Sequence, residues 1–148
     1  MVLDDPEFRR WREAAENARQ AARLQGEHPE FANWACFLAE QSAQLALKAL
    51  LHGVGAGAWG HDLVELGALL VEATVTPLPE AAGAALQRLS RHYIPARYPD
   101  AHPAGSPAGH YGPGDARLAL EDLSVVLSMV DSLWSLLGSL EEDERRGH

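Results

Sequence analysis

The stretch PEFANWACFLAEQSAQLALKALLH, Pro29 to His52, decides the fold. Phe31, Trp34, Ala35, Leu38, Ser42, Leu45 and Ala49 recur at steps of three and four, the spacing that gathers side chains on one helical face. Phe37, Leu47, Leu50 and Leu51 widen that face, so this helix is expected at the centre of its bundle. Pro29 is tolerated in a first turn, and no later proline interrupts the run. Gly53, Gly55, Gly57 and Gly60 then predict a loop.

Working outward, the flanking segments read the same way. Upstream, Asp5 as cap and Pro6 in the first turn open a helix to about Gln25, with Phe8, Trp11, Ala15, Ala18 and Ala22 inward and Gly26 as its stop. Downstream, a third helix runs from His61 or Asp62 to Glu72 on Leu63, Leu66, Leu69 and Leu70. Pro77 and Pro79 break it, and a fourth spans Pro79 to about Tyr93 with Ala82, Leu86 and Leu89 inward. From Ile94 to Gly114 prolines and glycines exclude regular structure, which predicts a loop over 94–114 of the length that often carries function. Asp115 caps a last helix to about Glu141, apolar on most of its circumference and therefore central or shared between protomers. The charged tail, 142–148, is expected to fray. The class is all-α: an antiparallel helical bundle of about five helices in a single domain over 1–148.

Bulk properties narrow the function. With 148 residues, 47% hydrophobic, the chain can bury one core without staples. Its one cysteine, Cys36, cannot form an internal disulfide and fits a reducing cytoplasm as a buried small hydrophobe. Asp4, Asp5, Glu7, Arg9 and Arg10 exclude a signal-peptide core at the start. Serines and Asp131 interrupt the apolar run from Leu123 to Leu140, so it reads as a core helix and no membrane partner is expected. A net charge of −9 disfavours strong binding of duplex DNA, leaving room for a local basic spot that takes a nucleotide or short RNA.

Three segments together resemble one family. Ala35-Cys-Phe-Leu-Ala-Glu-Gln-Ser-Ala-Gln-Leu-Ala-Leu-Lys-Ala-Leu-Leu51 is similar to the second helix of HEPN domains (higher eukaryotes and prokaryotes nucleotide-binding). Gly60-His61-Asp62-Leu63 is similar to that family's third-helix start, and Tyr93-Ile-Pro-Ala-Arg97-Tyr98-Pro99-Asp100 to its segment before the final helix. Gln44 and Leu45 stand where the family carries a Glu-Lys pair. The resemblance implies a bundle of four to five helices, a homodimer, and a nucleotide-associated accessory or toxin-type protein of a toxin–antitoxin pair. Such a protein acts with a separate minimal nucleotidyltransferase partner. Some members are metal-independent ribonucleases built on Arg-x(4–6)-His.

Arg97 and His102 satisfy that spacing: a histidine suits a general base and an arginine suits developing phosphorane charge. The family motif usually sits on a helix with a polar residue after the arginine; here that residue is Tyr98, and Pro99 and Pro103 make a helix there implausible. A nucleotide-binding alternative uses Lys48 and Arg97 on phosphate with Tyr98 or Tyr93 stacking on a base. A structural alternative pairs Arg97 with a carboxylate and packs Tyr98 on the bundle, leaving a non-catalytic dimerisation module. His61 reads as a helix-start residue bonding backbone, and Lys48 as a snorkelling surface residue on the bland view. His102 and His110 share the loop, but their spacing matches no zinc pattern; no metal or other cofactor is expected. Trp59, between glycines, is expected to be exposed as a partner contact.

Overall fold

The computed structural model describes residues 1–147, so His148, in the tail expected to fray, lies outside the described residues. Five helices and no strand are present among them: α1 (Asp5–Gly26), α2 (Ala32–Gly53), α3 (Leu63–Thr74), α4 (Glu80–Ser90) and α5 (Pro113–Arg146). Short 3₁₀ turns cover Pro29–Phe31, Pro99–Ala101 and Pro107–His110.

α1 and α2 form a tight antiparallel hairpin. Asp4 N donates to Gly53 O at its open end, and Ser42 Oγ donates to Ala15 O midway. The seam is built from small side chains (Ala15, Ala22, Ala39, Ala43 and Ala46 are buried), which lets the two backbones approach closely. α2 contacts each of the other four helices, as its sequence predicts. Ala35, Ser42, Leu47, Ala49, Leu50 and Leu51 are buried as expected, with Cys36 among them; Phe31 and Trp34, expected on the same face, are instead half-exposed.

α5 lies beside α2 in the same direction, with Ala116 near Ala32 and Ala35 at one end and Trp134 against Gly53 at the other. It is antiparallel to α1 and α4, to which it is pinned by forked ion pairs, Arg12 with Asp131 and Arg88 with Asp122. One 18-residue window of α5 has a mean hydropathy of 1.6, apolar enough by composition to cross a bilayer, contrary to the sequence expectation. Leu123, Val126, Val130 and Leu137 of this helix are buried in the core.

The helix ends shift by a few residues from their predicted places. Asp4, not Asp5, caps α1, accepting from Glu7 N at 3.1 Å, because Pro6 then falls in the first turn without losing a needed donor. Asp115 is not the cap of α5 but its third helical residue, accepting from Gly112 N at 2.8 Å. α5 also continues to Arg146, past the predicted Glu141, with Arg145 paired to Glu141. The segment 94–114 is a series of turns and short 3₁₀ pieces rather than wholly irregular.

Cys36 makes the burial measurable. Burial pushes its thiol up to about 12, with Asp115 adding to the shift. Against an ordinary value of 9.0, the thiolate fraction at pH 8 falls about a thousandfold. Alkylation of native protein at pH 8 is therefore expected to be slower than in urea by at least about a hundredfold; comparable rates would place Cys36 outside the core.

Candidate functional site

The polar chemistry collects at the N-terminal half of α2, the start of α3 and the turn after α4. Asn33 of α2 is buried and donates from Nδ2 to Ala96 O at 3.0 Å, while Arg97 N and Tyr98 N both reach Ile94 O. With Ala96 fully buried, these bonds fix the turn on α2. Asn33 Oδ1 is buried without a partner.

That turn sets Arg97 in an aromatic cage. Its Cζ lies 4.3 Å from the ring centre of Phe37, 4.6 Å from Tyr93 and 4.9 Å from Tyr98. Its Nε donates to Tyr93 O at 2.8 Å, which fixes the plane of the guanidinium. No carboxylate comes within 4 Å of it among the described residues, so the predicted ion pair for Arg97 is absent. Tyr98 packs on the arginine, half-exposed, rather than into the bundle. Cation–π contacts hold the charge without neutralising it, which leaves the terminal nitrogens for an anion.

Behind the cage sits Glu40, fully buried. Gln44 Nε2 donates to one carboxylate oxygen and Gln41 Nε2 to the other. Burial raises the pKa of Glu40; the two amide bonds, and the charges of His61 and Arg97 nearby, oppose that rise without cancelling it. His61 does not cap α3; Asp62 does, accepting from Val64 N and Glu65 N. The His61 ring instead stacks on Tyr93, 4.1 Å between centres and 11° from parallel.

The structure brings Arg97, Tyr93 and Tyr98 together, three of the four residues predicted to hold a nucleotide. Lys48 stands apart: it lies eleven residues beyond Phe37 on α2, about 16 Å along the axis. It makes no ion pair among the described residues and cannot share one phosphate with Arg97.

His102 is not turned to Arg97. Its Nε2 donates to Pro95 O at 2.7 Å, and its ring stacks on His110 at 4.2 Å and 5°. Since His110 Nε2 likewise donates to Ala104 O, the two rings act as a clasp within the loop. No group of three or more His, Cys, Asp or Glu suited to a metal occurs among the described residues. At the loop's far end His92 Nδ1 and Tyr111 Oη are hydrogen-bonded at 3.0 Å, and burial lowers the pKa of His92. Trp59 is 86% exposed, as expected from its glycine-flanked setting.

Phe37, Glu40 and His61 were not predicted as parts of this site. Phe37 read as core and His61 as a helix-start residue, and Glu40 was given no role. Only the packing of α2 against the turn after α4 unites them.

The architecture is a helical bundle of the HEPN class. The HEPN domain family matches residues 8–133, most of the chain, and the protein belongs to that family. A Thermus thermophilus protein of known crystal structure is 40% identical, with a TM-score of 0.78 over 84% of this chain and 96% of that one. An archaeal HEPN homologue is 28% identical (TM-score 0.68; 85% and 96% covered). A HEPN domain protein from Thermotoga maritima is also 28% identical (TM-score 0.65; 85% and 98% covered). No curated protein matches the sequence.

Proposed function

We propose that this HEPN protein binds the phosphate of a nucleotide at Arg97, with Tyr98 offering a partly exposed ring for base stacking. One observation carries the reading: a guanidinium held flat by three aromatic rings and a carbonyl bond, with no carboxylate to neutralise it. A structural arginine in so acidic a chain has many carboxylates to choose from, and this one takes none.

Catalysis of phosphoryl or nucleotidyl transfer needs charge-neutralising groups beyond this cage, and the family's pairing with a separate minimal nucleotidyltransferase supplies them in this reading. The protein is then the nucleotide-associated accessory or toxin component of a toxin–antitoxin pair in the cytoplasm. Its self-association uses the exposed apolar residues of α5, Leu118, Val125, Leu136 and Leu140, as a homodimer. The ribonuclease alternative with Arg97 and His102 draws less support, since His102 is bound to Pro95 O and stacked on His110.

Isothermal titration with a nucleotide set tests the reading. Arg97→Ala is expected to weaken binding by about 10- to 100-fold, the loss of charge-assisted bonds to phosphate. Equal affinity in the variant would refute an anion site at Arg97. Cleavage of a mixed RNA in EDTA, lost in His102→Ala, would instead establish the ribonuclease.

A further inference from the structure

We infer that His61, and neither His102 nor Lys48, is the second ligand of the phosphate held by Arg97, and that the group bound is a terminal phosphate monoester. This deepens the reading of Arg97 given above and rests on it.

The geometry begins with Tyr93. His61 stacks on its ring at 4.1 Å, and the Arg97 guanidinium carbon lies 4.6 Å from the same ring centre. The imidazole centre and the guanidinium carbon are therefore at most roughly 9 Å apart, within the reach of one phosphate that accepts a bond of about 2.8 Å from each at the ring edge. His61 is exposed, and its ring nitrogens have no hydrogen-bond partner among the described residues. Tyr93 thus orders both groups and takes only the Arg97 Nε, leaving the terminal guanidinium nitrogens and the imidazole unbonded among the described residues.

The loop imidazole and the first amides of α3 are already committed. His102 Nε2 is bound to Pro95 O. The first free amides of α3, Val64 N and Glu65 N, are taken by the Asp62 carboxylate, so the helix start offers no anion seat of its own. Lys48 is about 16 Å along α2 from the cage.

Charge decides the ligand class. Arg97 alone matches the single charge of a phosphodiester, whereas a monoester carries about −1.5 to −2 near neutrality. A second N–H donor is rewarded more by the more highly charged monoester, and the His61 imidazole presents one. The titratable and charged groups around His61 are Glu40 from α2, Tyr93 and Arg97 from the turn after α4, and its own neighbour Asp62. Glu40 is the one anion buried beneath the pair. Burial disfavours its charged form.

The experiment is titration calorimetry at pH 6.5 with adenosine 5′-monophosphate and with its methyl phosphodiester, on wild type, Arg97→Ala, His61→Ala, His61→Phe and His102→Ala. Wild type is expected to prefer the monoester by about tenfold, one charge-assisted bond. Both His61 variants should bring the two ligands to equal affinity, with His61→Phe keeping a stacking ring but no donor, and His102→Ala should keep the preference. A preference that survives in both His61 variants, or is absent from wild type, overturns this inference while the Arg97 site stands. Monophosphate binding that is undetectable at millimolar concentration, or indifferent to Arg97→Ala, overturns the Arg97 site and this inference together.

Discussion

Replacing Gly53 with alanine is expected to destabilise the protein by about 2–4 kcal/mol, among the largest effects of any one-methyl change in this chain. A Cβ at position 53 would meet Trp134 Cζ3 at 2.5 Å and Cη2 at 2.9 Å, with Phe8 Cβ at 3.2 Å. The indole cannot withdraw, since Phe8 stacks against it at 4.1 Å and 7°, and its Nε1 donates to Asp5 Oδ1 at 3.3 Å. Nor can the glycine's own backbone retreat, since Gly53 O accepts from Asp4 N at 2.7 Å. The contact therefore locks the start of α1 and the end of α2 to α5 at one point. Urea unfolding measures the loss. Trp134→Leu in the Gly53→Ala background should recover part of it, because the smaller side chain vacates the ring edge. A loss under about 0.5 kcal/mol would mean that α2 and α5 are not held at this distance.

That locking point also shows what the sequence could and could not reveal. Helix periods in α2 and the caps near Asp5, Asp62 and Asp115 were legible because they are local: each depends on residues within a turn of one another. The outward turn of Phe31 and Trp34 was not. Counting large apolar side chains put Phe31 and Trp34 inside, but the closest seam is made of alanines against α1, whose small size matters only once two backbones meet. The functional cluster divides in the same manner. Arg97, Tyr93 and Tyr98 fall within six residues, and their cationic–aromatic composition is visible in the chain. Phe37, Glu40 and His61 are separated from them by more than 30 residues, and no linear spacing joins them. Such spacing did join Arg97 to His102, where two prolines and the imidazole clasp turn the histidine to Pro95 and His110 instead.

The second large effect is expected at Glu40, and its sign depends on pH. Burial raises the pKa of this carboxyl in the folded chain above its ordinary value of 4.5, so folding favours the protonated form. The stability that the neutral carboxyl contributes is fully present below about pH 4.5. It is lost as pH rises through the folded-state value. Glu40→Gln cannot ionise and so escapes that loss. The flanking amides of Gln41 and Gln44 can each rotate to present an oxygen or an NH₂ to the new side chain, which keeps the buried bonds satisfied. The variant should match wild type near pH 4 and exceed it at pH 8, by about 1–3 kcal/mol on the scale of removed buried charges. Taking the difference between the two proteins at each pH cancels the other titrating groups, His92 and Glu16 among them. A constant difference from pH 4 to pH 8 would show that Glu40 does not titrate differently on folding. The groups that feel the Glu40 charge as it forms are His61 and Arg97.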